Sequence, residues 1–147
     1  MVPDQKAALL AALALSGSCQ VTLEGRSMWP FIRSGDRVTI KKQNALPPVG
    51  SVVAVFSGEQ LVIHRLLKQR RGTDATGEVW IRGDSSPGST ARIPAAWIIG
   101  RVASLRRNGR VRTFWITPPF SLLALPLGTI LCILVRIKMS FRPHAIL

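Results

Sequence analysis

Hydrophobic and polar positions divide the chain into three parts. The first is short and rich in Ala and Leu, from Asp4 to Ala14, with Asp4 placed to cap a helix and Gly17 placed to end it. This pattern predicts a helix that is too short to cross a bilayer. We therefore divide the chain into an N-terminal helix (1–17), a central region (18–112) and a C-terminal segment (113–147).

The central region alternates short runs rich in β-branched and aromatic residues with clusters of Gly, Pro, Asp and Ser. Runs of this kind, bounded by turn residues, are typical of strands. Six strands are predicted, at Val21–Leu23, Arg37–Lys41, Ser51–Phe56, Gln60–Leu67, Glu78–Arg82 and Trp97–Leu105. Because no period of about 20 to 50 residues recurs, the pattern indicates one mainly β domain and not a repeat array.

The C-terminal segment is the most apolar part of the chain. Phe114 to Val135 carries no charge over about 22 residues, which as a helix is enough to cross a hydrocarbon core of about 30 Å. Pro118, Pro119 and Pro126 would interrupt such a helix. The segment either spans a membrane or forms a hydrophobic hairpin that lies in the interface or packs on the domain.

Charge adds a preference for anionic partners. The 147 residues include 20 basic and 7 acidic side chains, a formal net charge of +13. Such an excess attracts nucleic acid or the anionic face of a bilayer. Many of the basic residues flank the apolar segment: Arg101, Arg106, Arg107, Arg110 and Arg112 before it, and Arg136, Lys138 and Arg142 after it. Their position favours a membrane surface or bilayer, and no nucleic acid partner is expected.

Metal and redox chemistry has few residues to use. Cys19 and Cys132 lie in very different contexts, which makes them poor disulfide partners, and we expect both to be free thiols. The chain has only two histidines and no CxxC motif or Cys/His cluster with metal spacing. We expect neither a metal nor another cofactor.

A candidate nucleophile lies between a glycine and an apolar run. In Gly25-Arg26-Ser27-Met28-Trp29-Pro30, Gly25 and Pro30 bracket Ser27 in a way that suits a tight turn. A nucleophilic serine needs an exposed hydroxyl on a constrained turn, with backbone N–H groups directed at the developing oxyanion. On the local sequence alone, an ordinary polar turn is the simpler interpretation.

A candidate base lies inside an apolar run. His64 stands within Leu61–Leu67, and the other histidine, His144, lies beyond the apolar C-terminal segment. A half-buried structural histidine is the simpler interpretation. Imidazole is nevertheless the side chain best suited to accept a serine proton at neutral pH. If a histidine acts as base, we expect it to be His64.

A third polar segment follows the predicted strand Glu78–Arg82. Gly83 and Asp84 form a turn signal at its end. Asp84 either accepts a hydrogen bond from the imidazole, as a triad carboxylate does, or forms an Asx-turn that caps the strand.

In order and content these segments resemble the S24/S26 superfamily of serine peptidases, which includes type I signal peptidases and self-cleaving LexA-like repressors. The resemblance covers about Val21 to Leu105. It rests on Gly25-x-Ser27-Met28-x-Pro30, Gly35-Asp36, a base-bearing strand, Gly83-Asp84 and a closing strand with Gly100-Arg101-Val102. It implies a signal peptidase/LexA-like β-rich catalytic fold, here with a short N-terminal helix and a C-terminal apolar segment.

The resemblance also implies roles for individual residues. The archaeal and endoplasmic reticulum type of signal peptidase uses histidine followed by arginine, which His64-Arg65 matches. Ser27 would attack the scissile carbonyl and His64 would accept its proton, giving an acyl-enzyme that water hydrolyses. The remaining motif residues would support the site or its oxyanion hole: Gly25, Met28, Pro30, Asp36, Arg65 and Gly83.

The chain departs from the family pattern at two places, one bearing on the oxyanion hole and the other on the third member of a triad. Signal peptidases often carry a serine two positions before the nucleophile, where this chain has Gly25, so the oxyanion hole would rest on backbone N–H groups such as that of Ser27. The histidine type also has acidic residues soon after Gly-Asp, but Ser85 to Ile93 contains none. The expectation is a Ser/His dyad, with Asp84 as candidate third member.

The expected function is that of a membrane-associated endopeptidase that cleaves a leader, signal or precursor peptide. Because the N-terminal segment lacks a convincing export signal, we expect the catalytic domain on the cytoplasmic side. One alternative is a catalytically silent peptide-binding module of the same fold. Another is a LexA-like self-cleaving regulator, although the roughly 20 residues before Val21 are too few for a three-helix DNA reader.

Overall fold

A computed structural model describes residues 3–70, 77–86, 88–113 and 126–127. These residues form one N-terminal helix and an eight-stranded antiparallel sheet that curls into a half-barrel. The elements are α1 (Pro3–Ser16), β1 (Ser18–Thr22), β2 (Arg37–Lys41), β3 (Val52–Ser57), β4 (Gln60–Arg70), β5 (Glu78–Arg82), β6 (Thr90–Pro94), β7 (Ile98–Arg107) and β8 (Arg110–Arg112). A short 3-10 helix, Ala95–Trp97, joins β6 to β7. The expected mainly β architecture with a short N-terminal helix is confirmed.

All six predicted strands form, and two further strands were not predicted. β6 contains Pro94 and is largely exposed, and β8 has only three residues, all exposed. Each pairs with a longer neighbour, β6 with β5 and β8 with β7. Their extended shape comes from that pairing more than from their own residue types, because β-propensity depends strongly on context. The Asn108-Gly109 turn, with φ of 50° and 74°, joins β7 to β8 as a tight hairpin.

The strand order along the sheet is β1-β2-β7-β3-β4-β5-β6, with β8 paired to β7. Because successive side chains of a strand point to opposite faces, β3 contributes to two apolar clusters. The larger cluster joins α1 and the β1–β2 loop to one face: Leu9, Leu13, Met28, Ile32, Val38, Ile40, Val52, Ala54, Ile63, Val102 and Leu105. The smaller lies on the other face: Val53, Val55, Leu66, Val79 and Ile81.

The first turns of helix α1 contact the β3–β4 hairpin. Lys6 Nζ donates hydrogen bonds of 3.1 Å to Gly58 O and to Glu59 Oε1, and it lies 5.0 Å from the centre of the Phe56 ring. Exposed ion pairs contribute little, so burial of Leu9 does more to hold the helix in place. The helix therefore covers the larger cluster along one wall of the cleft described below.

The expected apolar segment Phe114–Val135 lies outside the described residues except for Pro126 and Leu127. Cys132 lies outside them as well, whereas Cys19 carries a free thiol. In the described ranges, no helix is both long and apolar enough to cross a bilayer. Membrane association of the C-terminal segment stays a prediction.

Candidate active site

Ser27 lies in a turn between β1 and β2 that is anchored in the larger apolar cluster. Trp29 N donates to Arg26 O at 3.0 Å and Ile32 N donates to Met28 O at 3.0 Å, so the backbone coils tightly around the serine. Met28 and Ile32 are only 4% and 2% exposed. Their burial fixes the turn on the sheet, and Ser27 itself remains exposed.

The backbone on both sides of Ser27 has unusual conformations. Gly25 has φ of 97°, a conformation that residues with a side chain rarely adopt. The peptide bond between Trp29 and Pro30 is cis. Among the described residues, the N–H of Ser27 has no hydrogen-bond acceptor.

The turn that follows β5 packs directly on the Ser27 backbone. A Cβ on Gly83 would lie 2.5 Å from Ser27 O and 3.0 Å from Ser27 Cβ, which only glycine avoids. Ser85 N donates to Ser27 O at 2.9 Å, and Ser85 Oγ donates to Arg26 O at 2.6 Å. Sequence reasoning named Gly83 but missed Ser85, because nothing local distinguishes a serine whose acceptor lies 59 positions earlier.

Asp36 closes the loop that carries the serine. Leu23 N donates to Asp36 O at 2.9 Å and Gly35 N donates to Leu23 O at 2.8 Å, so the two ends of the loop are joined. The Asp36 carboxylate accepts hydrogen bonds from Arg33 N and Arg107 Nε, both at 2.7 Å. Burial alone would raise the pKa of this carboxyl, but the hydrogen bonds from Arg107 and Arg33 outweigh burial and lower the pKa. Asp36 therefore holds the two ends of the loop together, and its role in catalysis stays a prediction.

Ser27 and His64 line the same cleft, which has a volume of about 730 Å³. Its walls are the Gln60–His64 half of β4, the Val21–Gly25 segment, the Ser27 turn and Gln5 of α1. The candidate nucleophile and the candidate base both line this cleft, although 37 positions separate them along the chain.

The wall formed by β4 is an open strand edge. β4 pairs with β3 from Gln60 to Arg65, whereas its pairing with β5 involves only Arg65 to Arg70. Five consecutive residues, Gln60–His64, line the cleft, which is the arrangement of a backbone edge and not of a sheet face. In the part of the chain that the structure describes, no strand covers that edge.

His64 is half-buried at the inner end of this edge. Burial lowers the pKa of the imidazole below its ordinary value, and the nearby negative charge of Asp84 opposes part of that shift. The net lowering keeps His64 neutral near pH 7, the form that accepts a proton.

Asp84 is completely buried against Arg65. Arg65 Nε donates to Asp84 Oδ1 at 2.8 Å and Nη2 donates to Oδ2 at 2.7 Å, while Nη1 donates to Gly50 O at 3.0 Å. Both side chains are 0% exposed. Within the described ranges, the hydrogen bonds of Asp84 reach Arg65 and none reaches His64. Asp84 therefore affects the pKa of the imidazole through its charge. Its ion pair with Arg65 ties the turn after β5 to β4.

The consecutive pair His64-Arg65 serves two different sides of the strand. Because neighbouring side chains of β4 point to opposite faces, His64 lies at the cleft while Arg65 reaches into the interior. Arg65 positions Asp84, and the turn containing Asp84 contacts the backbone of Ser27. One strand thus carries the candidate base and the residue that positions the turn beneath the candidate nucleophile.

Among the described residues, no three His, Cys, Asp or Glu side chains are grouped so as to hold a metal ion. No protein-family model matches the chain, and a search of curated proteins returns no match.

Proposed function

We propose that the protein is a serine endopeptidase of the S24/S26 type that cleaves a leader, signal or precursor peptide through a Ser27/His64 dyad. One observation carries the proposal: Ser27 and His64 line a single cleft while a glycine turn packs on the Ser27 backbone. A structural serine or histidine requires neither arrangement. The curled antiparallel sheet is in keeping with the β-rich catalytic fold of that superfamily.

The first chemical step is attack by Ser27 Oγ on the scissile carbonyl carbon. His64 accepts the hydroxyl proton, which its lowered pKa permits because the imidazole is neutral near pH 7. The carbonyl oxygen becomes an oxyanion and accepts a hydrogen bond from the N–H of Ser27. Collapse of this intermediate breaks the C–N bond as His64 gives its proton to the leaving amine.

The second step returns the enzyme to its starting state. Water attacks the acyl ester on Ser27 Oγ, and His64 takes a proton from that water. When the ester bond breaks, His64 gives that proton to Ser27 Oγ, and the product leaves as a carboxylic acid that loses its own proton to water. The charge of Asp84 stabilises the imidazolium that forms in both steps, because a nearby negative charge favours the protonated ring.

The substrate binds as an extended strand. The open edge at Leu61–Ile63 offers backbone donors and acceptors, so a peptide in the cleft extends the sheet there. The opposite wall contributes Val21 and Leu23, which suit small or apolar side chains before the scissile bond. Sequence specificity thus rests on the cleft walls, and main-chain pairing supplies much of the affinity.

Membrane association belongs to the same proposal. The net charge of +13 and the uncharged run Phe114–Val135 favour attachment to an anionic bilayer, with the catalytic domain on its cytoplasmic side. The substrate is then a leader or precursor peptide presented at that surface.

A second candidate is a catalytically silent module that binds peptides in the same cleft. It is favoured by the pairing of both Asp84 carboxylate oxygens with Arg65, which leaves His64 without a bonded carboxylate among the described residues. Ser/His sites with no carboxylate partner lose much of the orientation that a triad provides.

The two candidates are separated by cleavage of a fluorogenic leader peptide and by labelling with a serine-directed probe. We expect Ser27→Ala and His64→Ala to reduce cleavage by at least about a thousandfold, since both act in the same step. The matched control Ser57→Ala removes an exposed serine at the end of β3 and should leave cleavage unchanged. Mass spectrometry should place the probe on Ser27. Undiminished cleavage by Ser27→Ala would exclude the mechanism, and peptide binding without cleavage or labelling would favour the silent module.

A further inference from the structure

Three strands at one end of the sheet carry a row of basic and aromatic side chains. Lys68 of β4 pairs with Trp80 of β5, which pairs with Arg92 of β6. Lys68 Nζ lies 5.2 Å and Arg92 Cζ 5.7 Å from the centre of the Trp80 ring. Both cations therefore lie over the same indole, an arrangement that holds them in place on the surface.

The same sheet face carries two further arginines. Glu78, Trp80 and Arg82 alternate along β5 and share a face, and Arg70 pairs with Glu78 across the strands. We call this surface the basic face; its members are Lys68, Arg70, Glu78, Trp80, Arg82 and Arg92. Four cations share it with one carboxylate, and that carboxylate already pairs with Arg92.

Arg82 is the cation of the basic face that has a buried nitrogen without a hydrogen-bond partner among the described residues. The residue is half-buried, and the nitrogen is Nε. Its cross-strand neighbour is Arg65, whose own charge is neutralised by Asp84. No carboxylate within the described ranges pairs with Arg82. A partly desolvated guanidinium without a counter-ion is unfavourable, so the site attracts an incoming carboxylate.

The basic face begins beside the candidate nucleophile. Arg82 directly precedes Gly83, whose Cα lies against Ser27. The cleft that receives the substrate lies between β4 and the Val21–Gly25 segment. A peptide that fills the cleft and continues beyond Ser27 towards β5 would reach Arg82 first and then the Lys68–Trp80–Arg92 row.

We propose that the basic face binds an acidic segment of the substrate on the C-terminal side of the scissile bond. This inference rests on the proposed peptidase function and names a chemical feature of its substrate. Carboxylates pair with Arg82 and with Lys68, while apolar parts of the same segment pack on Trp80. An extended chain inserts a single carboxylate at a recessed guanidinium, which a flat layer of lipid headgroups does not. The geometry therefore favours an acidic peptide over a bilayer as occupant.

The test uses two fluorogenic peptides that are identical except at positions about three to five residues beyond the scissile bond. An extended peptide advances about 3.3 Å per residue, which sets the choice of these positions. One carries Asp-Glu-Asp there and the other Asn-Gln-Asn. For the unaltered protein we expect kcat/KM to be about tenfold higher with the acidic peptide, as for a charge-assisted hydrogen bond. Arg82→Gln should bring this ratio close to one. Arg110→Gln removes an exposed arginine of β8 and should keep the ratio at about ten.

A binding measurement separates failure of this inference from failure of the peptidase function. With Ser27→Ala, fluorescence anisotropy should show tighter binding of the acidic peptide, and adding Arg82→Gln should remove the difference. If neither peptide is cleaved but this difference in binding is observed, binding of an acidic segment by the basic face is supported and the peptidase function is excluded. A ratio near one for the unaltered protein in both assays would overturn the inference.

Two further experiments test whether the Arg82 variants are misfolded and whether the basic face binds a membrane instead of a peptide. Arg82→Glu should prefer a peptide with Lys-Lys-Lys at the same positions, a gain that a misfolded protein cannot show. Sedimentation with vesicles of anionic phospholipid tests the other occupant. If Arg82→Gln weakens vesicle binding and leaves the peptide ratio unchanged, the basic face is a membrane surface and the proposal is wrong.

Discussion

Gly83 lies so close to Ser27 that a Cβ on the glycine would come within 2.5 Å of the serine carbonyl oxygen. The contact joins the end of β5 to the β1–β2 loop, two segments far apart in the chain. It places the candidate nucleophile on a rigid support, and it makes the position of Ser27 sensitive to changes at a residue that carries no side chain.

Gly83→Ala should therefore displace the Ser27 backbone. We expect the free energy of unfolding to fall by about 1–3 kcal/mol and kcat/KM to fall by about a hundredfold or more, because overpacking strains the turn and a small misplacement of a nucleophile is costly. Thermal unfolding and peptide cleavage measure the two effects. Gly88→Ala is the control, since Gly88 has φ of 85° but nothing within 4 Å of its Cβ position. It should lose some stability and keep its activity; equal losses of activity in the two variants would contradict the close-contact argument.

The buried pair Arg65–Asp84 should couple strongly in a double-mutant cycle. Arg65→Met or Asp84→Leu alone leaves an unpaired buried charge, and we expect each to lower the free energy of unfolding by about 3–5 kcal/mol. The double variant should be considerably less destabilised than the sum of the single variants, because it leaves no unpaired charge. Urea unfolding measures all three. Additive losses would show that the pair is not coupled.

The rate of cleavage should fall at acidic pH with a midpoint below about 6.5, the ordinary imidazole value. The shift has this sign because burial lowers the pKa of His64, so the base stays neutral to lower pH than a free imidazole. Asp84→Asn removes a charge that raises this pKa and should move the midpoint lower still. The pH dependence of kcat/KM, together with NMR titration of the imidazole, measures both effects. A midpoint that rises in Asp84→Asn would contradict the assigned electrostatics.

His64 also links stability to pH. The unfolded chain binds its proton at a higher pH than the folded protein does, so between the lowered pKa and about 6.5 the unfolded state carries more protons. Stability should therefore decrease as the pH falls through this window. In His64→Gln that part of the decrease should disappear from urea unfolding curves, whereas an unchanged slope would show that His64 is not buried as described.

Asp36 contributes stability over a different pH range. Its pKa is lowered in the folded protein, so the contribution is present above the ordinary carboxyl value of 3.8 and is lost as the pH falls through the lowered value. Arg107→Ala should reduce the free energy of unfolding at pH 7 by about 1–3 kcal/mol and flatten the acid dependence. Arg106→Ala, which removes an exposed arginine next to it, should do neither. Acid unfolding of the three proteins provides the measurement.

Local residue patterns predicted most of the elements, because strand periodicity and turn chemistry act over a few residues. β2 and β5 have the predicted bounds, and α1 extends a few residues beyond the predicted helix. β6 and β8 were missed because strands at the margin of a sheet derive their shape from a neighbour. That neighbour is visible only after the chain has folded.

The candidate site shows the same division. Ser27, His64 and Gly83 became candidates through the order of several motifs and the family resemblance that this order carries, because the local sequence around each also fits an ordinary structural role. The motifs left open whether Asp84 serves the imidazole or its own turn. The structure pairs it with Arg65, 19 positions earlier, since a buried carboxylate takes the partner that neutralises it best.

What the sequence determined by itself was the set of local elements and the kinds of side chain available for catalysis. Only the tertiary structure decided how they are placed: Ser27 lies against the Gly83 turn, Ser85 bonds to the Arg26 carbonyl, and Ser27 and His64 both line one cleft. The physical reason is that these placements depend on the curl of the sheet and on the burial of Met28 and Ile32. Both depend on interactions between distant parts of the chain, so no short segment of the sequence shows them.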